Sequence, residues 1–310
     1  AAEARGGAAG LAGDDAAPAG DAAEPPSAFT RDAGEAARAL ASLDPARDRH
    51  VAFVGKLIVS KGVDLLAAAW PLVLAQVPDA RLVIVGFGAY REPFERLLAA
   101  LAAGDLAAVR ALAEQGRAAE GGPHAPLTHL LAFLDDLQAD RHAVEGNESR
   151  NYSGFRSTRR EYLEAAARLP ERVVLTGRLE HDELAPLLAA CEAQVVPSTF
   201  PEAFGMVAAE AAACGALPVS AAHSGLAEVT AALRSAVPEQ ARPWLSFDVG
   251  PGAVRELAGC LVSWLQAPPE LHDATREALV AVARERFSWD GVARGVIAAA
   301  EGRLDELPDP

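Results

Sequence analysis

The chain has 310 residues, of which 51% are hydrophobic, enough to bury the core of one large or two ordinary domains. Its 43 acidic and 28 basic residues give a net charge of −15, which argues against nucleic acid as a partner because neutralising phosphates requires clustered Lys and Arg. Three widely spaced cysteines argue against a disulfide framework and favour a reducing cytoplasm. The sequence has no apolar run of about eighteen residues, so a membrane span is not indicated.

Residues 1–45 are predicted to be a low-complexity, disordered leader. The first 30 residues consist mainly of Ala, Gly, Asp and Pro, a composition that cannot bury a core. Within the leader, residues 31–43 favour a short helix that "DPARDRH" ends.

Residues 46–310 are predicted to form one α/β domain: a Rossmann-like parallel sheet with helices on both faces. Short apolar runs without alternation are typical of strands covered on both sides, and helical segments between them require parallel strands with right-handed crossovers. The predicted strands are 51–55, 81–86, 172–177, 193–198 and 217–221, with 244–248 as a candidate sixth. The predicted helices between and after them are 63–76, 181–192, 205–214, 225–234, 252–266, 270–286 and 289–303.

One interval breaks this rhythm. About 85 residues separate the second and third strands, far more than a crossover needs. They divide into helical stretches at 93–117 and 125–139 and a polar stretch at 139–158. The prediction is a helical insertion at about 93–170 whose polar centre is a mobile loop.

The stretch "PEAFGMVAAE" places Glu202 in the loop after a predicted strand and Glu210 inside the following helix. Eight positions span about 12 Å if helical throughout, comparable to the separation of the two sugars in a nucleotide diphosphate sugar. Glu202 could then hold a donor sugar and Glu210 a ribose, while the helix N-terminus beside Gly205 offers N–H groups to the diphosphate. The alternative is a pair of solvated carboxylates.

A second motif, "VGKLIVSKG", sets Lys56 and Lys61 in the loop after the first strand of a lysine-poor chain. Two ammonium groups there could neutralise a diphosphate and the charge that develops as it leaves. The alternative is two solvated surface lysines. An NAD site at Gly86 and Gly88 is disfavoured, because Arg91 stands where a dinucleotide fingerprint has its third glycine.

The segment "PSTFPEAFGMVAAEAAACGALPVSAAHSGLAEV" closely resembles the E-x7-E region of retaining glycosyltransferases of family 4, which have the GT-B fold. Further likenesses in order, "VAFVGKLIVSKG", "ARLVIVGFG", "RVVLTGRLEHDEL" and "RERFSWDGVARGVI", extend the resemblance over most of residues 50–300 and match the donor-binding half. Arg is commonest in the family where Lys56 stands, so this chain keeps the charge but loses the bidentate fork.

The resemblance implies transfer of a sugar from a nucleotide diphosphate sugar to an unknown acceptor, with retention of configuration and without metal or other cofactor. The residues it implies as catalytic are Lys56, Lys61 and Glu202. The residues it implies for donor binding are Gly55, Arg178, Leu179, Phe204, Gly205, Met206, Val207 and Glu210.

The chain begins without Met, and no second Rossmann-like half precedes the donor half. We therefore expect the C-terminal, donor-binding portion of a longer transferase. A non-catalytic nucleotide-sugar-binding module, or one half of a two-chain transferase, is the alternative. A sugar epimerase or phosphorylase is disfavoured, because the E-x7-E helix and the lysine loop together resemble transferases more.

Overall fold

Six parallel strands form the central sheet of the computed structural model, which describes residues 31–139 and 157–306. Their order is β3-β2-β1-β4-β5-β6, the order of the dinucleotide-binding Rossmann fold. This confirms the predicted fold class. The strands are β1 (Arg49–Val54), β2 (Ala80–Val85), β3 (Val173–Gly177), β4 (Ala193–Val196), β5 (Leu217–Ala221) and β6 (Ser246–Phe247).

Helices cover both faces of this sheet. They are α1 (Ala33–Ala41), α2 (Val63–Gln76), α3 (Arg91–Ala102), α4 (Leu106–Gln115), α5 (Thr128–Gln138), α6 (Arg159–Ala166), α7 (Leu169–Arg172), α8 (His181–Ala189), α9 (Met206–Ala213), α10 (Ser224–Arg234), α11 (Ala253–Leu265), α12 (Pro269–Arg286) and α13 (Trp289–Ala300). No helix in the described ranges is long and apolar enough to cross a lipid bilayer.

Successive residues of β1 point to different cores, which explains its unbroken apolar run. Val51 and Phe53 belong to the larger cluster, which includes α2 and α11, whereas Ala52 belongs to a smaller cluster with side chains of α1, α8 and α9. α2 is apolar around its whole circumference and is buried from Val63 to Leu74, as expected of a helix enclosed by protein on all sides.

The order of the strands fixes where a ligand cleft can form. From β1 the chain builds outward through β2 and β3, then returns to place β4 on the other side of β1. Ligands of open α/β sheets bind outside the carboxyl ends of the strands at such a reversal. The loops that follow β1 and β4 therefore flank the expected cleft.

The insertion is helical as predicted, but the helix expected at 93–117 is two helices. Gly104 takes a left-handed φ of 69°, and the Asp105 carboxylate caps α4 by accepting from the Ala108 N–H. The insertion also shares the main core, since the Tyr162 hydroxyl donates to the Ala68 carbonyl of α2 at 3.1 Å. Most of the predicted loop at 139–158 lies outside the described residues.

Two other predicted segments differ in detail. The candidate strand 244–248 is reduced to the two residues of β6, because Glu239–Leu245 is wound into a 3-10 helix with Trp244 packed against Trp264. Within the predicted leader, α1 forms the expected short helix and packs against the sheet with Ala36 fully buried. Residues 1–30 lie outside the described part of the chain.

A glycine holds the β1 and β4 loops together. Gly62 has a left-handed φ of 67°, and a Cβ at this position would lie 1.9 Å from the Pro197 carbonyl oxygen. The neighbouring Thr199 N–H donates to the Ser60 carbonyl at 2.9 Å, which closes the same contact. Only a residue without a side chain permits this approach.

We expect Gly62→Ala to destabilise the protein by about 3 kcal/mol, the sum of the left-handed backbone cost and the displacement of the β4 loop. Urea unfolding followed by circular dichroism measures the change. Gly121→Ala is the matched control, because Gly121 has a φ of 81° but open space around its Cβ position. Equal losses in the two variants would show that the contact with Pro197 does not constrain the loops.

Candidate functional site

The loop after β1, residues 55–62, is called the lysine loop. It runs beside the loop after β2: the Leu57 N–H donates to the Phe87 carbonyl at 2.8 Å, and the Leu57 carbonyl accepts from the Tyr90 N–H at 2.9 Å. The insertion also contacts it, because a carboxylate oxygen of Glu120 accepts from the Val59 N–H at 2.8 Å. These bonds fix the backbone that carries Lys56 and Lys61.

The loop after β4, residues 197–205, is called the glutamate loop, and it brings Glu202 to Lys61. The Lys61 ammonium donates to Oε1 of Glu202, and the Ser198 hydroxyl donates to the same oxygen at 2.6 Å. The two side chains are 29% and 24% exposed, so the ion pair is partly shielded from water.

The backbone of Glu202 is held as firmly as its side chain. Its N–H donates to the Ser224 hydroxyl at 2.9 Å, and its carbonyl accepts from the Gly225 N–H at 3.0 Å. A Cβ on Gly225 would lie 2.5 Å from the Cα of Phe204, so the start of α10 presses directly on the glutamate loop. Hydrogen bonds at both ends of the residue define the direction of its carboxylate.

His223 completes this network. Its Nε2 lies 2.7 Å from the Ser198 carbonyl, which can only accept, so we assign the proton to Nε2. Nδ1, 3.0 Å from the Ser224 hydroxyl, then accepts from it in the neutral ring. Ser224 has a φ of 51°, the one left-handed non-glycine residue in the described ranges. Such backbone strain clusters at functional sites.

The residues predicted to form the site all lie at the carboxyl edge of the sheet or in α9. Lys61 and Glu202 are joined directly. Lys56 is exposed, and no carboxylate of the described residues forms an ion pair with it. Glu210 is half-buried one turn into α9. The remaining predicted residues, which follow β1, β3 and β4, are Gly55, Arg178, Leu179, Phe204, Gly205, Met206 and Val207.

Two of these positions differ in what they offer a ligand. Arg178 is exposed after β3 and forms an ion pair with Glu180 at 3.3 Å. The Leu179 side chain is buried in the smaller core cluster, so any contact with a ligand would come from its backbone. Helix α9 begins at Met206 rather than at Gly205, so Glu202 and Glu210 are not linked by continuous helix and the 12 Å spacing does not apply.

Gly205 opens the N-terminus of α9 to the cleft. Its φ of 98° turns the chain into the helix, and a Cβ there would meet the Leu226 side chain at 2.9 Å. The first N–H groups of a helix have no acceptor within the helix. With the positive end of the helix dipole, they can bind an anion between the two loops.

Four residues that hold the site were not predicted from the sequence: Ser198, His223, Ser224 and Glu120. The first three could have been found, because they lie at the carboxyl ends of β4 and β5, where ligand-binding residues of such sheets gather. Glu120 carried no signal, since it lies in the insertion, 61 residues from Val59.

The electrostatics of the cleft keep Glu202 ionised. Partial burial of its carboxyl raises the pKa, but the hydrogen bonds from Lys61 and Ser198 outweigh burial, and the pKa lies below its ordinary value of 4.5. Glu202 is therefore an acceptor at neutral pH, able to bind hydroxyl groups.

The carboxyl group of Asp64, two residues after the lysine loop, has a raised pKa, in contrast to that of Glu202. It lies in the first turn of α2 with only 3% of its surface exposed, and its Oδ1 has no hydrogen-bond partner among the described residues. Burial raises its pKa to about 7. Near neutral pH the buried Asp64 carboxyl is therefore partly protonated.

Within residues 31–139 and 157–306, no three His, Cys, Asp or Glu side chains are close enough together to hold a metal ion. The contacts at the carboxyl edge join the Lys61 ammonium, the Glu202 carboxylate and the Ser198 hydroxyl, close to the N-terminus of α9. Such a set can bind a polyanion joined to hydroxyl-bearing groups.

Comparison with known proteins agrees with this chemistry. Residues 48–116 and residues 153–237 each match a family model described as glycosyl transferases group 1. These two matches support glycosyltransferase group 1 domains within the matched segments. The matched segments include the lysine loop, the glutamate loop and α9. No curated protein matches the chain.

Several solved structures are similar to this chain at low identity. HepE of Anabaena in complex with UDP-glucose is 19% identical, with a TM-score of 0.48, over 89% of this chain and 54% of that one. The C-terminal domain of the group 1 family glycosyl transferase LpcC from Francisella tularensis is 14% identical, with a TM-score of 0.46, over 84% and 97%. The chain spans about half the length of the HepE structures.

We expect Glu202→Gln to lower the free energy of unfolding by about 1–2 kcal/mol at pH 7, through loss of the ion pair. Because the folded-state pKa of Glu202 is lowered, its contribution is present above pH 4.5 and is lost as the pH falls further. Urea unfolding of both proteins from pH 7 to pH 3 should show the gap closing. Exposed Glu228→Gln is the control, and a gap that stays constant would contradict the ion pair's role.

We expect Asp64→Asn to stabilise the protein at pH 8, by on the order of 2–4 kcal/mol. The folded-state pKa of Asp64 is raised, so burial destabilises the wild type progressively as the pH rises from about 4 through 7. Thermal unfolding of the two proteins should diverge over this range, whereas exposed Asp273→Asn should follow the wild type. Parallel curves would show that Asp64 does not titrate as described.

Proposed function

We propose that these domains bind a nucleotide diphosphate sugar and transfer its sugar to an acceptor, with retention of configuration at the anomeric carbon. The observation that carries the proposal is the pairing of Lys61 with Glu202 across the reversal of the sheet between β1 and β4. A cation for phosphate and a carboxylate for hydroxyls meet where such folds bind their ligands.

The lysines would act on the leaving group. When the bond between the anomeric carbon and the diphosphate oxygen breaks, the electron pair stays with the nucleoside diphosphate, which gains negative charge. Lys61 has three N–H donors, so it can contact the diphosphate while still donating to Glu202. Lys56, exposed on the same loop, can reach the phosphates without first breaking an ion pair.

The rest of the cleft would orient the donor. Glu202, ionised and held at both ends of its backbone, would accept hydrogen bonds from sugar hydroxyls. The N–H groups at the start of α9 would bind the phosphates, and Glu210 would accept from the ribose. The acceptor hydroxyl would form the new bond on the face that the leaving group vacates and pass its proton to a phosphate oxygen.

In this proposal the cations that stabilise the leaving group come from the chain itself, and no metal or other cofactor takes part. The site carries the chain's only two lysines. Undiminished transfer in the presence of EDTA would agree with this part of the proposal, and loss of transfer that Mg²⁺ restores would overturn it.

The two lysines also provide the sharpest test. Reductive methylation with ¹³C-formaldehyde keeps their charge and gives one methyl resonance for each lysine and one for the N-terminus. We expect both lysine resonances to shift when a UDP-, GDP- or ADP-sugar is added, and Glu202→Gln to move the Lys61 resonance in the free protein. Lys56→Arg assigns the two signals.

Calorimetric titration of the unmethylated protein with the same nucleotide sugars shows whether methylation changes the affinity, and it identifies the preferred nucleoside. Lys61→Ala and Glu202→Ala, in the enzyme with its acceptor site, should each lower turnover at least tenfold, and exposed Arg284→Gln should not. Lysine resonances that no nucleotide sugar moves, or wild-type turnover in both alanine variants, would reject the proposal.

The alternative, a nucleotide-sugar-binding module or one half of a two-chain transferase, has one observation in its favour. Phe200 and Met206 are 67% and 64% exposed at the mouth of the cleft, and exposed apolar clusters mark contacts with other protein surfaces. A chain that binds the donor but neither transfers nor hydrolyses it, alone or with a partner, would support the binding module.

A further inference from the structure

A cavity of about 560 Å³ lies beside α10, at the end of the sheet formed by β6. Its volume is in the range of about 300–1,000 Å³ that is typical of small-molecule sites. One face of α10 forms a wall, and the end of β5, the 3-10 helix and β6 contribute the rest. The lining residues are Ala222, Ala227, Thr230, Ala231, Arg234, Ser235, Arg242 and Ser246.

Two arginines line this cavity without a carboxylate partner. Arg234 donates to the Ser246 hydroxyl at 2.8 Å, and Arg242 donates through Nε to the Val237 carbonyl at 3.2 Å. Neither forms an ion pair with any Asp or Glu of the described ranges. Both guanidinium groups therefore keep N–H donors beyond the single hydrogen bond that each of them makes.

We propose that this cavity binds the phosphate group of a small organic phosphomonoester. The two guanidinium groups offer more donors than the two oxygens of a carboxylate can accept, whereas three terminal phosphate oxygens can use them. The side chains of Ala222, Ala227 and Ala231 form an apolar surface for the organic part of the ligand.

The cavity is separate from the cleft at Glu202, although both use α10. Ser224, which accepts from Glu202, begins the helix, and Thr230 and Arg234 follow six and ten residues later. At 1.5 Å rise per residue they lie about 9 Å and 15 Å further along the axis. The charged part of the cavity at Arg234 therefore lies about 15 Å along α10 from Ser224, whereas Ala222 and Ala227 line it close to that residue.

Calorimetric titration with phenyl phosphate tests the proposal. We expect binding that Arg234→Gln and Arg242→Gln each weaken at least tenfold, while Arg284→Gln, on an exposed stretch of α12, leaves it unchanged. Arg242 is exposed, so Arg242→Gln should fold. It therefore tests the proposal even if Arg234→Gln, which loses the bond to Ser246, does not fold. Phenyl phosphate could also bind to the lysine loop. Lys56→Gln is therefore the reference variant, because it weakens phosphate binding at the lysine loop and not in the cavity.

Three results would overturn the proposal. Phenyl phosphate binding that Lys56→Gln abolishes and Arg234→Gln and Arg242→Gln preserve would assign the anion to the lysine loop. Benzoate binding as tightly as phenyl phosphate would replace the phosphomonoester with a carboxylate. No binding of phenyl phosphate at millimolar concentration would leave the cavity without an oxyanion ligand.

Discussion

The ion pair between Lys61 and Glu202 is the interaction on which the arrangement of the site depends. It joins two loops that are 141 residues apart in the chain and that leave neighbouring strands at the reversal of the sheet. Partly shielded from water, the pair is stronger than an ordinary surface ion pair, yet it stays accessible to a ligand. Its geometry is fixed less by the charges than by the backbone around them. Gly62 allows the loops to touch, and the start of α10 holds Glu202 at its N–H and its carbonyl.

Local charge, rather than the charge of the whole protein, governs what this cleft can bind. A net charge of −15 opposes the approach of a polyanion, but salt screens charges beyond about 8 Å at physiological ionic strength. In the proposed site, a ligand would meet the two lysines of the lysine loop and the N-terminus of α9 at short range. The acidic surface and a site for phosphates are therefore compatible.

Helix α10 links two parts of the molecule that the sequence does not suggest are related. Its first residues, with their strained backbone at Ser224, support the glutamate loop, and its flank carries Thr230 and Arg234. A rigid helix that contacts both regions is the simplest physical route by which they could influence each other. The insertion supports the lysine loop in a similar way, because Glu120 accepts a hydrogen bond from the Val59 N–H. The insertion itself is anchored in the main core by the bond from Tyr162 to α2.

The sequence by itself determined the strands and most helices, because apolar runs and helical periodicity are local properties that parallel α/β packing leaves intact. It also determined that Lys61 and Glu202 follow strands whose carboxyl ends meet at one edge. Only the tertiary structure decided that β1 and β4 are neighbours, that helix begins after Gly205, and that Leu179 turns into the core. It alone brought Glu120, His223, Ser224 and the two arginines of the cavity to their places. Their positions depend on contacts between distant segments, and no periodicity or spacing within one segment can encode which distant segment it will meet.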